Sequence, residues 1–332
     1  MLIAAGLLSA LPGCFAQLPC ASGDPSCDAR GILALLGKSS YNSFVVGTSD
    51  GQIAYSTDEG QSWNLASLGA SNYNVSGFAV AQGTVFAFGD DSGGNGFYFT
   101  STDLQTWLGP ITVSGNPLSF GSSDGSSVFV LSAATSNYFQ LTYDAGPIPL
   151  GVIDTSTGGI NLFKFYDGHW FVGDTPPADP PLRYGTGLSS LAPPSGGVTD
   201  PVNDVVKIGT NYLLTGAPGG AVDAFVSVGS LDSWMTISPG ASFTAICGNG
   251  RIALAASTAG NVYSTTDAQS LGSSTNTGLV APLTDIACYG ETFIVIPNAT
   301  GNWALSSTAG ASWNLITNPV GTGTPRAIEY IP

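Results

Sequence analysis

Residues 56–63 read Ser-Thr-Asp-Glu-Gly-Gln-Ser-Trp, and altered copies of this octapeptide recur along the chain. Residues 101–107 read Ser-Thr-Asp-Leu-Gln-Thr-Trp, without the glycine step. Residues 306–313 read Ser-Ser-Thr-Ala-Gly-Ala-Ser-Trp, with Thr308 at the aspartate position. Repetition of short strands about every 40 residues is typical of β-propeller blades and related repeats. The octapeptide therefore indicates a repeated β-unit.

Seven such units follow one another between residue 41 and the C-terminus. Tryptophans end four of them at positions 63, 107, 234 and 313, with two weaker copies between 107 and 234. The resulting steps of about 42 residues suit a four-stranded antiparallel sheet. The sequence therefore predicts an all-β, seven-bladed β-propeller of four-stranded antiparallel blades. A right-handed parallel β-helix is the structural alternative, but its coils are shorter and more regular.

The two ends of the predicted propeller complement each other. The first unit lacks the opening strand that other units have, for example at residues 77–80 and 243–246. Residues 326–332, Arg-Ala-Ile-Glu-Tyr-Ile-Pro, have the pattern of that strand. We therefore predict that the C-terminal strand completes the first blade, which closes the ring and covers exposed sheet edges.

The composition supports an all-β protein and excludes some partners. The chain has 45 glycines and 21 prolines, and 9% of its residues are charged, which suits short strands joined by tight turns. Its net charge is −15, and its seven basic residues are scattered. A nucleic-acid partner or an anionic membrane surface would need clustered basic residues, so neither is expected. We interpret the acidity as keeping an extracellular protein soluble.

The N-terminal region predicts export. Residues 1–16, MLIAAGLLSALPGCFA, form a short apolar run that ends in small residues, as in a signal peptide. Two processing routes stay open. Residues 11–14, Leu-Pro-Gly-Cys, are similar to the lipobox of bacterial lipoproteins, which would make Cys14 the lipid-bearing residue. Cleavage after Ala16 would instead release a soluble protein that begins at Gln17.

The remaining chain divides into a tether and the propeller. Residues 17–40 are predicted to form a tether, and residues 41–332 the seven-bladed propeller. Lipidation would place the protein in the periplasm or at the outer surface, whereas signal-peptidase cleavage would allow its secretion. In the lipidated form, the lipid would attach the protein to the membrane. We expect a monomer.

The five cysteines are an odd number, which fits one of them having a separate use. If Cys14 is acylated or removed, four remain. Cys20 and Cys27 flank a short loop and are candidates for a disulfide in an oxidising compartment. Cys247 and Cys288 fall within one residue of the same place in adjacent repeats. Because equivalent strands of neighbouring blades diverge, we expect these two as buried free thiols rather than a bridge.

The S-x-D-x-G-x-x-W pattern resembles the Asp-box, or BNR repeat, of sialidase-like β-propellers. In that family the box forms the turn between the third and fourth strands of a blade. Its aspartate accepts hydrogen bonds from the turn, its glycine takes a conformation that other residues resist, and its tryptophan packs between sheets. The resemblance implies this structural role, and no catalytic one, for Ser56, Asp58, Gly60, Trp63, Asp103, Trp107, Gly310 and Trp313.

The sequence selects no catalytic residues. Sialidases with this repeat hold the substrate carboxylate with three arginines, and Arg183, Arg251 and Arg326 are the one trio outside the tether. They carry no matching motif, so sialidase activity is not expected. Other glycosidases need two carboxylates about 5 to 10 Å apart. The candidates, all predicted in inter-strand loops, are Asp90, Asp91, Asp174, Asp179, Asp200 and Asp204.

Cofactor binding has little support in the sequence. Residues 90–96, Asp-Asp-Ser-Gly-Gly-Asn-Gly, form an oxygen-rich loop that is an alternative Ca²⁺ site, but they lack the EF-hand spacing. We favour a solvated hairpin there and expect no cofactor. The lone His169 is interpreted as structural, because no nucleophile motif accompanies it.

Two hypotheses of different classes follow. The first is an exported or surface-anchored, non-enzymatic propeller that binds an extracellular protein or glycan through loops on one face. The alternative is a sialidase-like glycoside hydrolase with an unidentified pair of loop carboxylates. A weaker third hypothesis is an assembly factor, because Asp-box-like repeats also occur in photosystem assembly proteins. A fold alone does not choose among them.

Overall fold

Short runs of β-branched and aromatic residues, separated by glycine-rich turns, form the strands of this protein. The computed structural model of the protein describes residues 41–69, 72–143, 146–153, 159–174, 180–216, 224–238 and 240–332. The predicted export signal and tether lie outside these residues, and so do Cys14, Cys20 and Cys27.

The described residues form 27 strands. The first fourteen are β1 (Ser43–Thr48), β2 (Gln52–Ser56), β3 (Asn64–Ser67), β4 (Tyr73–Ala81), β5 (Thr84–Asp91), β6 (Gly96–Ser101), β7 (Leu108–Val113), β8 (Phe120–Ser123), β9 (Val128–Leu131), β10 (Asn137–Leu141), β11 (Ile148–Val152), β12 (Ile160–Tyr166), β13 (His169–Asp174) and β14 (Leu182–Gly185). The others are β15 (Val202–Ile208), β16 (Asn211–Gly216), β17 (Ala224–Val228), β18 (Met235–Ile237), β19 (Phe243–Gly248), β20 (Ala253–Ser257), β21 (Asn261–Thr265), β22 (Ser274–Asn276), β23 (Leu283–Tyr289), β24 (Thr292–Pro297), β25 (Trp303–Ser306), β26 (Asn314–Ile316) and β27 (Pro325–Ile331).

Helical structure is minimal in the described part of the chain. It amounts to one 3-10 turn, Leu188–Ser190, between β14 and β15. None of the described residues belongs to a helix with the length and apolarity needed to cross a bilayer.

The strands of the described residues form seven antiparallel sheets, one for each predicted repeat. Six sheets have four strands, and the sheet of β12, β13 and β14 has three. Beside β14, an isolated bridge joins Tyr184 to Ala192 where other blades have their fourth strand. The predicted all-β, seven-bladed propeller is confirmed.

The C-terminal strand closes the ring as predicted. β27 pairs antiparallel with β1, with Val45 opposite Glu329, and the sheet order is β27-β1-β2-β3. The first blade therefore combines both ends of the propeller. Its innermost strand comes from the C-terminus.

Seven innermost strands surround a central channel. They are β4, β8, β12, β15, β19, β23 and β27, and each contacts the next around the ring. A β-bulge recurs at the start of six of them, for example at Asn203 and Thr284. Bulges re-aim the side chains that follow them. In this protein the residues after the bulges line the channel.

The hydrophobic core lies between neighbouring blades. Phe97 and Phe99 of the second blade, for example, pack with Val45 and Ile53 of the first. Two twisted sheets bury their facing side chains in this way, and the arrangement is repeated around the ring. Most of the buried apolar residues are thus used for contacts between blades.

A disulfide joins Cys247 of β19 to Cys288 of β23, so the expectation of two free thiols was wrong. Neighbouring blades do diverge, but only towards the rim. The innermost strands are close together, and the two Cα atoms are 5.9 Å apart. That separation lies in the range that a disulfide spans. The bridge therefore ties the sixth blade to the seventh beside the channel.

Candidate functional site

The octapeptide forms a hydrogen-bonded turn between β2 and β3. The Asp58 carboxylate accepts hydrogen bonds from Ser56 Oγ (2.8 Å), the Ser62 amide (2.8 Å) and Ser62 Oγ (2.5 Å). Gly60 has a φ of 85°, in the left-handed region that glycine adopts without strain. The Trp63 indole donates to the Gly60 carbonyl (3.0 Å). The polar groups of the turn are therefore used within the turn.

The second copy makes the same turn without glycine. Asp103 accepts hydrogen bonds from the amides of Gln105 (2.9 Å) and Thr106 (2.7 Å). Leu104 takes the glycine position with a φ of 63°, and the Trp107 indole donates to its carbonyl (3.1 Å). A similar turn that sequence reasoning did not single out follows β21, where Asp267 accepts from the Gln269 amide (2.8 Å).

The last copy lacks the carboxylate. Thr308 Oγ1 accepts from the Ser312 amide (3.0 Å), which replaces one of the bonds that an aspartate makes. Gly310 keeps the left-handed conformation, with a φ of 83°. The Trp313 indole nitrogen is buried and has no hydrogen-bond partner among the described residues. The turn survives, but with fewer bonds.

These turns also fix each blade to its neighbour. A Cβ added to Gly60 would lie 2.5 Å from Ile294 Cδ1 of the seventh blade. The rings of Trp63 and Trp303 meet edge to face, with centroids 4.9 Å apart. The residues thus act in packing between blades. Their assignment to the Asp-box family stays a prediction.

The turns that hold Asp58 and Asp103 join the two outer strands of their blades, at the rim of the propeller. These two rim carboxylates are stabilised as anions. Burial works against ionisation of Asp58, but hydrogen bonds from Ser62 and Ser56 outweigh it and lower its pKa. The amides of Thr106 and Gln105 likewise lower the pKa of Asp103. A group that is already ionised and hydrogen-bonded inside its own turn is poorly suited to proton transfer.

The central channel is a concave site in the described structure. It holds a cavity of about 490 Å³ between β4, β8, β12, β15, β19 and β27. Aromatic side chains form much of its lining: Phe78, Phe120, Phe163, Phe165, Tyr166 and Tyr330. A cavity of this size with a few convergent polar groups is the usual form of a small-ligand site.

One ion pair crosses the channel lining between neighbouring blades. Lys164 Nζ of β12 donates to Asp204 Oδ1 of β15 at 2.6 Å. The side chains are 32% and 14% exposed, so the pair is only partly screened by water. Desolvation works against the charged lysine, but the Asp204 carboxylate outweighs it and raises the pKa of Lys164. The single channel lysine is therefore held as a cation beside a carboxylate.

Asp204 and Asp285 play equivalent parts on different blades. Each directly follows a bulge, and each accepts a hydrogen bond from the inner strand of the next blade. Asp204 Oδ2 accepts from the Ile246 amide (3.0 Å), and Asp285 Oδ2 from the Ile328 amide (2.9 Å). Asp204 has Lys164 as its counter-ion, whereas Asp285 has no basic side chain within salt-bridge distance in the described structure.

Two channel carboxyls have strongly raised pKa values. Burial raises the pKa of Asp285 to about 7, although the amides of Ile328 and Ile286 oppose the shift. Burial also raises the pKa of Glu329 to about 8; the Lys164 cation opposes this shift and the Asp285 carboxylate adds to it. Glu329 is exposed to the channel, but the ring surrounds it, so protein replaces much of the water around its carboxyl group. Such groups are frequent at functional sites.

A second ion pair lies near the turns that join the inner strands to their neighbours. Lys207 Nζ is 2.7 Å from Asp167 Oδ2, and the Tyr212 hydroxyl donates to the same oxygen. Lys207 also lies over the Tyr212 ring, 5.0 Å from its centroid. His169 Nδ1 lies 3.0 Å from the Asp167 carbonyl oxygen. The cluster is internally satisfied, which agrees with a structural histidine.

The carboxylates expected in loops are mostly in strands, which corrects the prediction. The four found in strands are Asp90, Asp91, Asp174 and Asp204. Asp200 lies in the loop before β15, and Asp179 lies outside the described residues. Strand ends that carry aspartates next to glycine resemble loops in sequence. Of the candidates, Asp204 reaches the channel.

The structure does not assemble the arginine trio. Arg183 pairs with the buried Asp174 at 3.3 Å, and Arg251 pairs with Glu291 beside the turn after β19. Arg326 is exposed, in the bulge at the start of β27. The three guanidinium groups serve separate elements, so they form no carboxylate-binding cluster.

The expected hairpin at residues 90–96 uses its oxygen atoms internally. Asp91 Oδ1 accepts from the amides of Gly93 and Asn95, both at 2.8 Å, and Asp90 accepts from the Asn74 side chain at 2.8 Å. Within the described ranges, no group of three or more His, Cys, Asp or Glu side chains is arranged to hold a metal ion. The Ca²⁺ alternative stays a prediction.

Sequence reasoning did not identify the four charged residues of the channel as one group, which we call the channel cluster. Lys164, Asp204, Asp285 and Glu329 lie on four inner strands, each at the bulge or within three residues after it. The available signal was charge at equivalent positions of otherwise apolar strands, in a chain with 9% charged residues. Recognising it requires knowing which strand of each repeat is innermost.

Comparison with known proteins identifies the fold. No protein-family model matches the chain, and no curated protein sequence is detectably similar to it. A protein from Lactobacillus plantarum is 12% identical, with a TM-score of 0.63 over 86% of this chain and 98% of that one. A protein from Bacteroides fragilis, provisionally assigned as a 6-phosphogluconolactonase, is 12% identical, with a TM-score of 0.62 over 89% and 99%. Apo AztD from Citrobacter koseri is 12% identical, with a TM-score of 0.54 over 86% and 96%. At such identities the likeness shows a shared propeller fold and nothing further.

Proposed function

We propose that this protein is an exported β-propeller that binds a glycan in its central channel without chemically altering it. The observation that carries the proposal is the cavity of about 490 Å³ at the centre of the ring. Its volume lies in the range of small-ligand sites, about 300 to 1,000 Å³. The predicted signal at residues 1–16 supports export.

The cavity lining supports a sugar as the ligand. Aromatic rings such as Phe165 and Tyr166 offer apolar faces on which the C–H face of a sugar ring can stack. Asn161, Asn203 and Lys164 line the same space and supply hydrogen-bonding groups for hydroxyls. A protein ligand would instead need a contact area of about 800 Å² on each partner. A concave channel suits the smaller ligand.

Two observations support binding without catalysis. The arginines of a sialidase site are dispersed, and the rim carboxylates are engaged in turns. The proposal is tested by glycan-array binding of the exported full-length protein. Tyr166→Ala should weaken binding about tenfold by removing a wall of the channel. Tyr143→Ala, at an exposed tyrosine outside the channel, is the matched control. Absence of any glycan ligand, or equal effects of both variants, would overturn the proposal.

Glycoside hydrolysis is a second candidate, favoured by one observation. Glu329 and Asp285 line one small cavity together with the salt-bridged Asp204, and burial there raises their pKa values to about 8 and 7. A protonated acid next to an ionised carboxylate is the pair that glycosidases use. A panel of fluorogenic glycosides distinguishes the candidates. Turnover that Glu329→Gln or Asp204→Asn abolishes would establish hydrolysis and contradict the non-enzymatic proposal.

A further inference from the structure

A small side chamber adjoins the cavity and shares Phe78, Phe120, Phe163 and Glu329 with its lining. This chamber, of about 140 Å³, lies between β4, β8, β12, β23 and β27. Four phenylalanines contribute to its lining: Phe78, Phe88, Phe120 and Phe163. Asp285 and Glu329 are the two acidic residues in the same lining. Aromatic faces and carboxylates are the two kinds of group that attract an organic cation.

The charges around the chamber do not balance within the protein. Three carboxyl groups, those of Asp204, Asp285 and Glu329, share the channel with one lysine. Lys164 is bonded to Asp204 at 2.6 Å. In the described structure, neither Asp285 nor Glu329 forms a salt bridge. A bound cation would stabilise the ionised forms of Asp285 and Glu329, which their surroundings otherwise disfavour.

The neighbouring elements supply no other counter-ion. β1, β19, β20 and β24 carry no acidic or basic side chain, and the one ionisable side chain of β4 is Tyr73. Tyr330 on β27 and Tyr289 on β23 stack on each other, with ring centroids 4.2 Å apart. Arg326, also on β27, is exposed to solvent. Lys164 and Asp204 are therefore the charges that face the two carboxyls from other strands.

We infer that the channel selects ligands that carry a positively charged amine, such as an amino sugar, and holds that amine between Asp285 and Glu329 in the phenylalanine-lined chamber. The inference deepens the proposed function, because it names the class of glycan. The sugar ring would occupy the larger cavity, and the ammonium group the side chamber. A neutral sugar would leave the two carboxyls uncompensated.

Binding of a cation is linked to proton release. Burial raises the pKa values of Asp285 and Glu329 to about 7 and 8, so both carboxyls hold protons in part near neutral pH. A cation favours the ionised carboxylates and lowers both pKa values. Affinity for a permanently charged ligand should therefore rise between about pH 6 and about pH 9, as the two groups lose their protons.

The test is isothermal titration calorimetry on the full-length protein with matched ligands. Glucosamine and N-acetylglucosamine differ in whether the nitrogen is charged, and tetramethylammonium carries a charge at every pH. We expect glucosamine to bind at least about tenfold more tightly than N-acetylglucosamine near neutral pH. Tetramethylammonium should bind more tightly at about pH 8.5 than at about pH 6.

The variants test the two carboxyls. Glu329→Gln and Asp285→Asn should each weaken glucosamine binding by about tenfold and reduce the pH dependence for tetramethylammonium. Asp91→Asn, at the end of β5 and outside the channel lining, should change neither. The melting temperature of each variant checks folding. Should Asp285→Asn fail to fold, the Glu329→Gln result decides, because the Glu329 carboxyl group, unlike that of Asp285, accepts no hydrogen bond from a described backbone amide.

The outcomes separate this inference from the proposed function. Equal binding of the amine and its acetylated form would overturn the inference and leave glycan binding intact. Binding of tetramethylammonium without any glycan would support the cation chamber and contradict the glycan proposal. Displacement of the amine by an equimolar amount of Ca²⁺ would assign the chamber to a metal ion and overturn the inference. No binding of any ligand would contradict both.

Discussion

The rim and the channel of this propeller use carboxylates in opposite ways. At the rim, Asp58 accepts three hydrogen bonds within its own turn, and these lower its pKa. In the channel, burial raises the pKa values of Asp285 and Glu329, and neither has a salt bridge within the described residues. The same chemical group is held as an anion in one place and is disfavoured as an anion in the other.

The difference separates residues that hold the fold from residues that we propose bind a ligand. The turn at Asp58 satisfies its own carboxylate by hydrogen bonds and packs on the preceding blade. Its structural role therefore needs no ligand. Ionisation of the channel carboxyls lowers the free energy of unfolding, because burial in the ring disfavours their charged forms. Groups retained against stability are expected where binding or chemistry occurs.

The largest expected effect comes from removing the bridge beside the channel. Cys247→Ala combined with Cys288→Ala opens a loop with a sequence separation of 41 residues. We expect the free energy of unfolding to fall by about 4 kcal/mol, because the unfolded chain gains the entropy of that loop. Urea denaturation of the oxidised protein and the double variant measures the change.

The same double variant tests what the bridge does for the channel. Cys247 and Cys288 line another small cavity beside the channel, of about 80 Å³, together with Asp285 and Glu329. Reduction of the wild type with a thiol should reproduce the loss of stability, and the rim turns should be unaffected. An unchanged urea midpoint would show that the inner strands hold together without the bridge.

Breaking a rim turn should have a smaller effect. Asp58→Ala removes the acceptor of three hydrogen bonds from Ser56 and Ser62. We expect a loss of about 1 to 2 kcal/mol in the free energy of unfolding and no change in ligand binding, because exposed donors turn to water. Asp58→Asn keeps one acceptor oxygen and should lose less. A larger loss in glycan binding than in stability would place the rim in the site.

The contribution of the channel residue Glu329 to stability should depend on pH in the opposite sense to that of Asp58 at the rim. The folded-state pKa of Glu329, about 8, lies above its ordinary value of 4.5, so folding favours its protonated form. Its contribution to stability is greatest below about pH 4.5 and is lost as the pH rises through about 8. Glu329→Gln should therefore gain stability relative to the wild type between about pH 5 and about pH 9, by roughly 1 kcal/mol after screening by channel water. Parallel curves of stability against pH for the two proteins would contradict this.

Repairing the degraded rim turn should have the smallest effect. Thr308→Asp in the seventh blade restores the carboxylate that accepts from Ser312 in the manner of Asp58. We expect a gain of about 0.5 kcal/mol or less, since threonine already replaces one of these bonds. The melting temperature of the variant measures it, with Thr322→Asp in an exposed turn as the control. A loss of stability would mean that this turn differs from the first one in more than its aspartate.

The sequence predicted the periodic part of this molecule well. Octapeptide spacing gave seven blades, and residues 326–332 revealed the closing strand, because both depend on local patterns that repeat. The Cys247–Cys288 bridge was missed because separation between blades varies from the ring centre to the rim. The channel cluster was missed because Lys164 and Glu329 are 165 positions apart in the chain and meet only when the ring closes.

At neutral pH the carboxyl groups of the channel should hold protons in part, whereas those of the rim should be ionised. A carbon-13 NMR titration of the side-chain carboxyls measures this directly, with Asp58→Asn and Glu329→Gln assigning the two key resonances. We expect a titration midpoint near pH 8 for Glu329 and near pH 7 for Asp285, and a midpoint for Asp58 below its ordinary pKa of 3.8. Midpoints for Glu329 and Asp285 near their ordinary values of 4.5 and 3.8 would contradict it.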